Sequence, residues 1–175
     1  MKNKKRIMVG LALGSGGARG LAHIGVIKTL SENGITIDYI AGSSAGALIG
    51  GLYAYFGNIY EVEDLFSNMN YKDYLKIISD PRLGRGFLKG ERAQAFLESW
   101  VGNVKIENLK IPFQAVATDL AEGETVLINK GKLAEAIRAS SSLPVIFRPF
   151  KKGKRYLING GVSMPVPVDI VRKMG

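Results

Sequence analysis

The pentapeptide Gly42-Ser43-Ser44-Ala45-Gly46 constrains this chain more than any other stretch. It follows a short apolar run, Tyr39-Ile40-Ala41, and opens a helix-like run from Ala45 to Phe56. A serine at a tight strand-to-helix turn needs small residues two positions away on either side, because larger side chains would collide with the flanking strand and helix. Gly42 and Gly46 meet that need. The pattern predicts a nucleophile elbow with the Ser44 hydroxyl projecting into the open. The next amide, on Ala45, falls at a helix N-terminus, where unpaired N–H groups and the helix dipole favour a developing negative charge.

Around the elbow, the order of patterns sets the fold class. A strand over Ile7 to Leu13 leads into a glycine loop, an amphipathic helix over about Ala18 to Glu32 and an Asn33-Gly34 stop. The elbow unit comes next, so the chain opens βαβα, which implies parallel strands under helices. Asn58 is placed to cap a short acidic helix over Ile59 to Ser67. A polar, irregular segment from Met69 to Gly90 reads as a lid or entry loop. A helix over Glu91 to Val101 ends at Gly102. Strands over Phe113 to Asp119 and Glu124 to Asn129 flank the Ala121-Glu122-Gly123 turn, followed by a helix near Lys132 to Ser140 and a hairpin around Lys151-Lys152-Gly153. At 175 residues the chain has room for one substantial core, and it is read as a single domain over residues 1–175. The expected architecture is a three-layer α/β/α fold with a mainly parallel sheet.

Composition excludes several kinds of chemistry. With no cysteine, disulfide scaffolds, thiolate metal sites and a cysteine nucleophile are ruled out. A hydrophobic share of 46% against 22% charged argues against disorder. The net charge of +9 suggests contact with an anionic surface. The basic start followed by Ile7 to Leu13 is too short and lacks a cleavage region for a signal peptide. No run approaches the ~18 apolar residues that would span a bilayer. Cytosol is the expected compartment.

The glycine loop Gly14-Ser15-Gly16-Gly17-Ala18-Arg19-Gly20 sits where a dinucleotide loop would also sit, but Arg19 stands where that fingerprint needs glycine. A P-loop fails too, for want of Gly-Lys-Ser/Thr. What remains is a run of little-obstructed amides that can approach an anion. Beside a serine nucleophile, that anion is the oxyanion of a tetrahedral acyl intermediate. The sole histidine, His23, would have to serve any Ser-His-Asp triad. It lies inside the first helix, where packing or capping is the more ordinary role.

These residues resemble the bacterial patatin-like phospholipases. Gly16-Gly17-Ala18-Arg19-Gly20-Leu21-Ala22-His23-Ile24-Gly25-Val26 is similar to that family's oxyanion-loop block, and Gly42-Ser43-Ser44-Ala45-Gly46 to its nucleophile block. Ala117-Thr118-Asp119-Leu120 and Ser140-Ser141-Ser142-Leu143-Pro144 resemble two further blocks. The resemblance implies a Ser-Asp dyad acting on lipid acyl esters, with no metal or cofactor and with His23 outside the chemistry. Ser44 would be the nucleophile, with the amides of Gly16, Gly17 and Ala45 as the oxyanion hole. Gly14, Arg19, Gly20, Gly42, Gly46, Gly160 and Gly161 would support the motifs.

One position departs from that pattern. The family's dyad aspartate falls here in Leu157-Ile158-Asn159-Gly160-Gly161, as asparagine. Asn159 can orient the Ser44 hydroxyl but cannot take its proton at neutral pH. An inactivating substitution, a natural loss of the base, and deamidation of the Asn-Gly pair all fit. Asp119, at a strand end, is a substitute base to weigh against an ordinary capping role. The chain also stops at Gly175, earlier than the resemblance leads one to expect, as if truncated at its C-terminal end. Arg148, Lys151, Lys152, Lys154 and Arg155 form the densest basic cluster, read as a solvated hairpin or as a landing patch for anionic membrane. Nucleic acid is not expected, since no aromatic residues interleave with the charges. The functional expectation is a serine-type lipid acyl hydrolase whose activity is low at Asn159. The alternatives are a non-catalytic lipid-binding or regulatory protein on the same scaffold, and a nucleotide-binding protein.

Overall fold

The computed structural model describes residues 6–70 and 88–175. The expected lid segment falls largely on residues 71–87, outside the described residues. Among the described residues, six strands form one sheet: β1 (Gly10–Leu13), β2 (Tyr39–Ser43), β3 (Phe113–Asp119), β4 (Thr125–Ile128), β5 (Phe150–Lys152) and β6 (Arg155–Asn159). β1, β2 and β3 run parallel, as the βαβα opening requires. β4 and β6 both join β3 antiparallel, and β5 returns on β6 as a hairpin. The parallel part carries the elbow.

Helices cover both faces, which gives the α/β architecture expected from the sequence. Period-two alternation sends Ile40 into the main core and Ala41 to the opposite side, where Ile170 and Val171 meet it. Those two residues come from α6 (Val168–Met174), which lies on β1 and β2. The other face carries α1 (Ala22–Glu32), α2 (Ala45–Phe56), α3 (Ile59–Ser67), α4 (Glu91–Val101) and α5 (Leu133–Ser140). Apolar on every side, α2 is the central helix of that layer. Its Ile49 and Leu52 are fully buried, each contributing roughly 1.5–3 kcal/mol through the apolar area it removes from water.

Local signals place most boundaries. The Asn58 side chain accepts the Tyr60 N–H at 3.0 Å and starts α3. Gly57, at φ 70°, ends α2 in the left-handed conformation that glycine adopts without steric cost. Two expectations need correction. β1 begins at Gly10 rather than Ile7, because its partner β2 starts only at Tyr39 and leaves Ile7 and Met8 exposed. The helix after the glycine loop opens as a separate 3-10 segment, Gly17–Leu21, before α1.

Candidate active site

Two strands meet end to end along one edge of β3, and the candidate site lies at their junction. β2 pairs with β3 as far as Ser43 opposite Val116, and β6 continues the same edge with Asn159 opposite Ala117. β4 fills the other edge. Two side chains far apart in sequence are thereby brought together: Asn159 Nδ2 donates to Ser44 Oγ at 2.8 Å.

The direction of this bond follows from its surroundings. Asn159 Oδ1 accepts the Gly161 N–H at 2.8 Å, so the NH2 end of the amide faces the serine. The Asn159 backbone is pinned as well, donating to Ser142 O at 2.9 Å and accepting Thr118 Oγ1 at 2.9 Å. So oriented, the amide donates to the hydroxyl and offers no lone pair for its proton. Ser44 itself adopts φ 55°, a region that non-glycine residues rarely occupy and that marks a strained elbow. Ser140 Oγ, at 2.8 Å, accepts the Ser44 N–H and gives this strained backbone a buried partner. The expected open projection of the Ser44 hydroxyl does not hold: Ser44 is 6% exposed. The end of β6 arrives over the elbow and covers it.

The glycine loop packs directly on this junction. Ser15 N–H donates to Pro165 O at 2.8 Å, and Arg19 N–H to Gly16 O at 3.1 Å. A methyl group on Gly20 would stand 2.2 Å from Ala45 Cβ, so only glycine lets the loop approach the helix start. The same test puts Gly46 at 2.1 Å from Leu13 O, Gly42 at 2.3 Å from Gly46 O and Gly160 at 2.1 Å from Val116 O. A methyl on Gly161 would meet Ser15 Oγ at 2.7 Å, and one on Gly14 would meet Val166 Cγ2 at 3.1 Å. Gly16 is extended, Gly17 is at φ 54°, and Arg19 is exposed. Among the described residues, no hydrogen bond takes up the N–H of Gly16, Gly17 or Ala45.

The two other candidate bases are engaged elsewhere. His23 Nε2 lies 2.8 Å from Gly14 O, tying α1 to the start of the loop. Asp119 Oδ1 accepts Ala121 N–H at 2.9 Å and Oδ2 lies 3.6 Å from Arg155 Nε, so this carboxylate caps the β3–β4 turn. Sequence reasoning gave no role to Ser140, Ser142 or Arg138. Arg138 is 4% exposed and donates to Gly90 O at 3.1 Å and Ser142 Oγ at 2.6 Å, while its guanidinium stacks on Phe147. It braces the turn that holds both Ser44 and Asn159. The Ser140-Ser141-Ser142 run was a visible signal, but its partners lie on other strands. Among the described residues, no group of three or more His, Cys, Asp or Glu side chains is placed to hold a metal. No helix among them is long and apolar enough to cross a membrane.

An α/β sheet with a strained serine between a parallel strand and a buried helix, beside a glycine loop, has the geometry of a strand-to-helix elbow. The family model for patatin-like phospholipase matches residues 11–172, and the chain belongs to that family. It is 42% identical over 160 residues to an uncharacterised NTE family protein of Mycobacterium bovis, covering 91% of this chain and 44% of that one. It is 32% identical over 172 residues to neuropathy target esterase sws of Drosophila melanogaster, covering 95% of this chain and 12% of that protein. The chain thus spans less than half the length of these curated relatives. VipD from Legionella pneumophila shares the fold, with a TM-score of 0.56 at 14% identity over 94% of this chain and 51% of that one.

Proposed function

We propose that the chain is the acyl-transfer scaffold of a lipid acyl hydrolase, with Ser44 as nucleophile and residue 159 as the base position. The observation that carries this reading is the 2.8 Å contact between Asn159 Nδ2 and Ser44 Oγ at a strained elbow. Ser44 Oγ attacks the ester carbonyl carbon, and the Gly16, Gly17 and Ala45 amides receive the oxyanion. Collapse expels the alcohol and leaves the acyl group on Ser44, which water then releases. Each step needs a base to take the attacking proton, and Asn159 supplies none, so turnover by this chain is low. A fluorophosphonate probe tests the assignment: it should label Asn159→Asp at Ser44 and leave Ser44→Ala unlabelled. Labelling that persists in Ser44→Ala ends the proposal.

The donor orientation of Asn159 favours a second reading, a non-catalytic lipid-binding or regulatory protein on the same scaffold. Ester turnover by the chain as it stands separates the two. We also propose peripheral contact with anionic membrane at the cytoplasmic face. Lys151, Lys152 and Lys154 are exposed on the β5–β6 hairpin. β6 pairs with β3 beyond the end of β2, so the strand that brings Asn159 to Ser44 carries the hairpin at its other end. A lipid surface docked there would meet positive charge on the strand that reaches the site.

A further inference from the structure

A cavity of about 430 Å³ beside the hairpin is lined by charged and polar groups, including Arg148 and Glu91, which already pair with each other. A second opening is different in kind. It measures about 260 Å³ and lies between α2, α3, α4 and α5. Among the described residues, its lining apart from Ser141 and Arg138 is apolar. Ser44 does not itself line it, but two lining residues are bonded to the Ser44 backbone or neighbour a group that is. Leu48 lines it and sits one helical turn from Ser44, its N–H bonded to Ser44 O at 3.0 Å. Ser141 also lines it and follows Ser140, whose hydroxyl accepts the Ser44 N–H. Part of its lining is an aromatic wall in which Phe66 and Phe96 each meet Trp100 edge-on, with centroids 5.4 and 4.7 Å away.

We infer that this pocket seats the acyl chain of the scissile ester and selects one unbranched chain of medium length. The inference rests on Ser44 being the acylated group. An apolar pocket of this kind favours hydrocarbon, as a ~150 Å³ engineered cavity takes benzene. At the roughly 25 Å³ per carbon which that case implies, 260 Å³ holds roughly ten carbons. A carbonyl held at Ser44 would direct its chain past Leu48 and Ser141, with the tail against Trp100. Branched or fused-ring acyl groups would meet the helix walls.

Trp100 is the only tryptophan in the chain; it also borders a neighbouring opening lined by Glu61, Asp64 and Asn68, so the Ala93 variants, which alter the apolar pocket alone, assign the signal. The probes are saturated fatty acids from butanoate to hexadecanoate, below their micelle concentrations, and 10-bromodecanoate as a heavy-atom quencher. Bromodecanoate should quench Trp100, and decanoate should compete it off. Competition should strengthen about fourfold for each added methylene, the equivalent of ~0.8 kcal/mol, and level off near ten carbons. Ala93 lines the pocket, and Ala93→Phe should weaken decanoate at least tenfold while butanoate changes little. Ala93→Leu gives a smaller loss of the same sign should the larger side chain disturb folding. No quenching, or an affinity that ignores chain length, overturns the inference, and so does an unaffected Ala93→Phe. The readout needs no catalysis: quenching without fluorophosphonate labelling would leave a fatty-acid site and remove the nucleophile, whereas labelling without quenching would do the reverse.

Discussion

Replacing Asn159 by aspartate changes one atom group, and the geometry around it fixes what that change does. Oδ1 keeps the Gly161 N–H, so the new oxygen takes the place of Nδ2, 2.8 Å from Ser44 Oγ. A donor becomes an acceptor. The Ser44 hydroxyl then turns to donate along the same line, and its proton gains a destination during attack. No other atom has to move, because the residue is held through its backbone by Ser142 O and Thr118 Oγ1. By comparison with other catalytic sets that lose one member, turnover of p-nitrophenyl butyrate should rise by roughly 10³ to 10⁴, equivalent to about 4 to 5.5 kcal/mol of barrier. The rise should appear in kcat more than in KM, since the proton moves only as the carbonyl is attacked. Initial rates of the two proteins, with circular dichroism to establish folding, give the measurement. An unchanged rate in a folded Asn159→Asp protein would refute the assignment of the base to this position.

Four further outcomes follow from particular contacts. Ser140→Ala leaves the buried Ser44 N–H without its acceptor and should cost about 1–3 kcal/mol in urea unfolding, with slower fluorophosphonate labelling in the Asn159→Asp background. Val145, a β-branched residue at φ 72° and 79% exposed, should accept glycine with a gain of about 1 kcal/mol, because relief of backbone strain outweighs the added freedom of the unfolded chain; a loss of stability would contradict this. Asp38 is held below the usual carboxylate range by the Val9 N–H first and Arg6 second, so its stabilisation is present above the ordinary carboxylate pKa and lost as pH falls through the depressed one; Asp38→Asn should flatten that acid limb of the stability curve. Binding to liposomes should grow with anionic lipid and weaken with salt, and reversing Lys151, Lys152 and Lys154 to glutamate should remove the dependence, whereas equal binding to neutral and anionic vesicles would mean that the hairpin is only solvated.

Legibility followed sequence distance. The bounds of α2, the Asn58 cap and the small-residue frame of the elbow could be read directly, because each is a contest among neighbours a few residues apart. The openness of Ser44 was misread for the opposite reason, since its cover comes from β6, far along the chain. Asp119 is similar: a strand-end carboxylate looks available until the β3–β4 turn closes on it. Arg138 gave no sign of being buried, as its partners at residues 89, 90 and 148 are brought in only by packing.

The sequence by itself determined which residue would sit strained at a strand-to-helix turn, because glycines at 42 and 46 are a local steric requirement. It also determined that residue 159 could not accept a proton, because that is a property of an amide in any fold. The tertiary structure decided that these two residues touch, by laying β2 and β6 head to head on one edge of β3. It decided too which way the amide points, through a single Gly161 N–H. Strand register is a global property of the sheet, fixed by which faces can be buried together, and no local pattern at either residue encodes it.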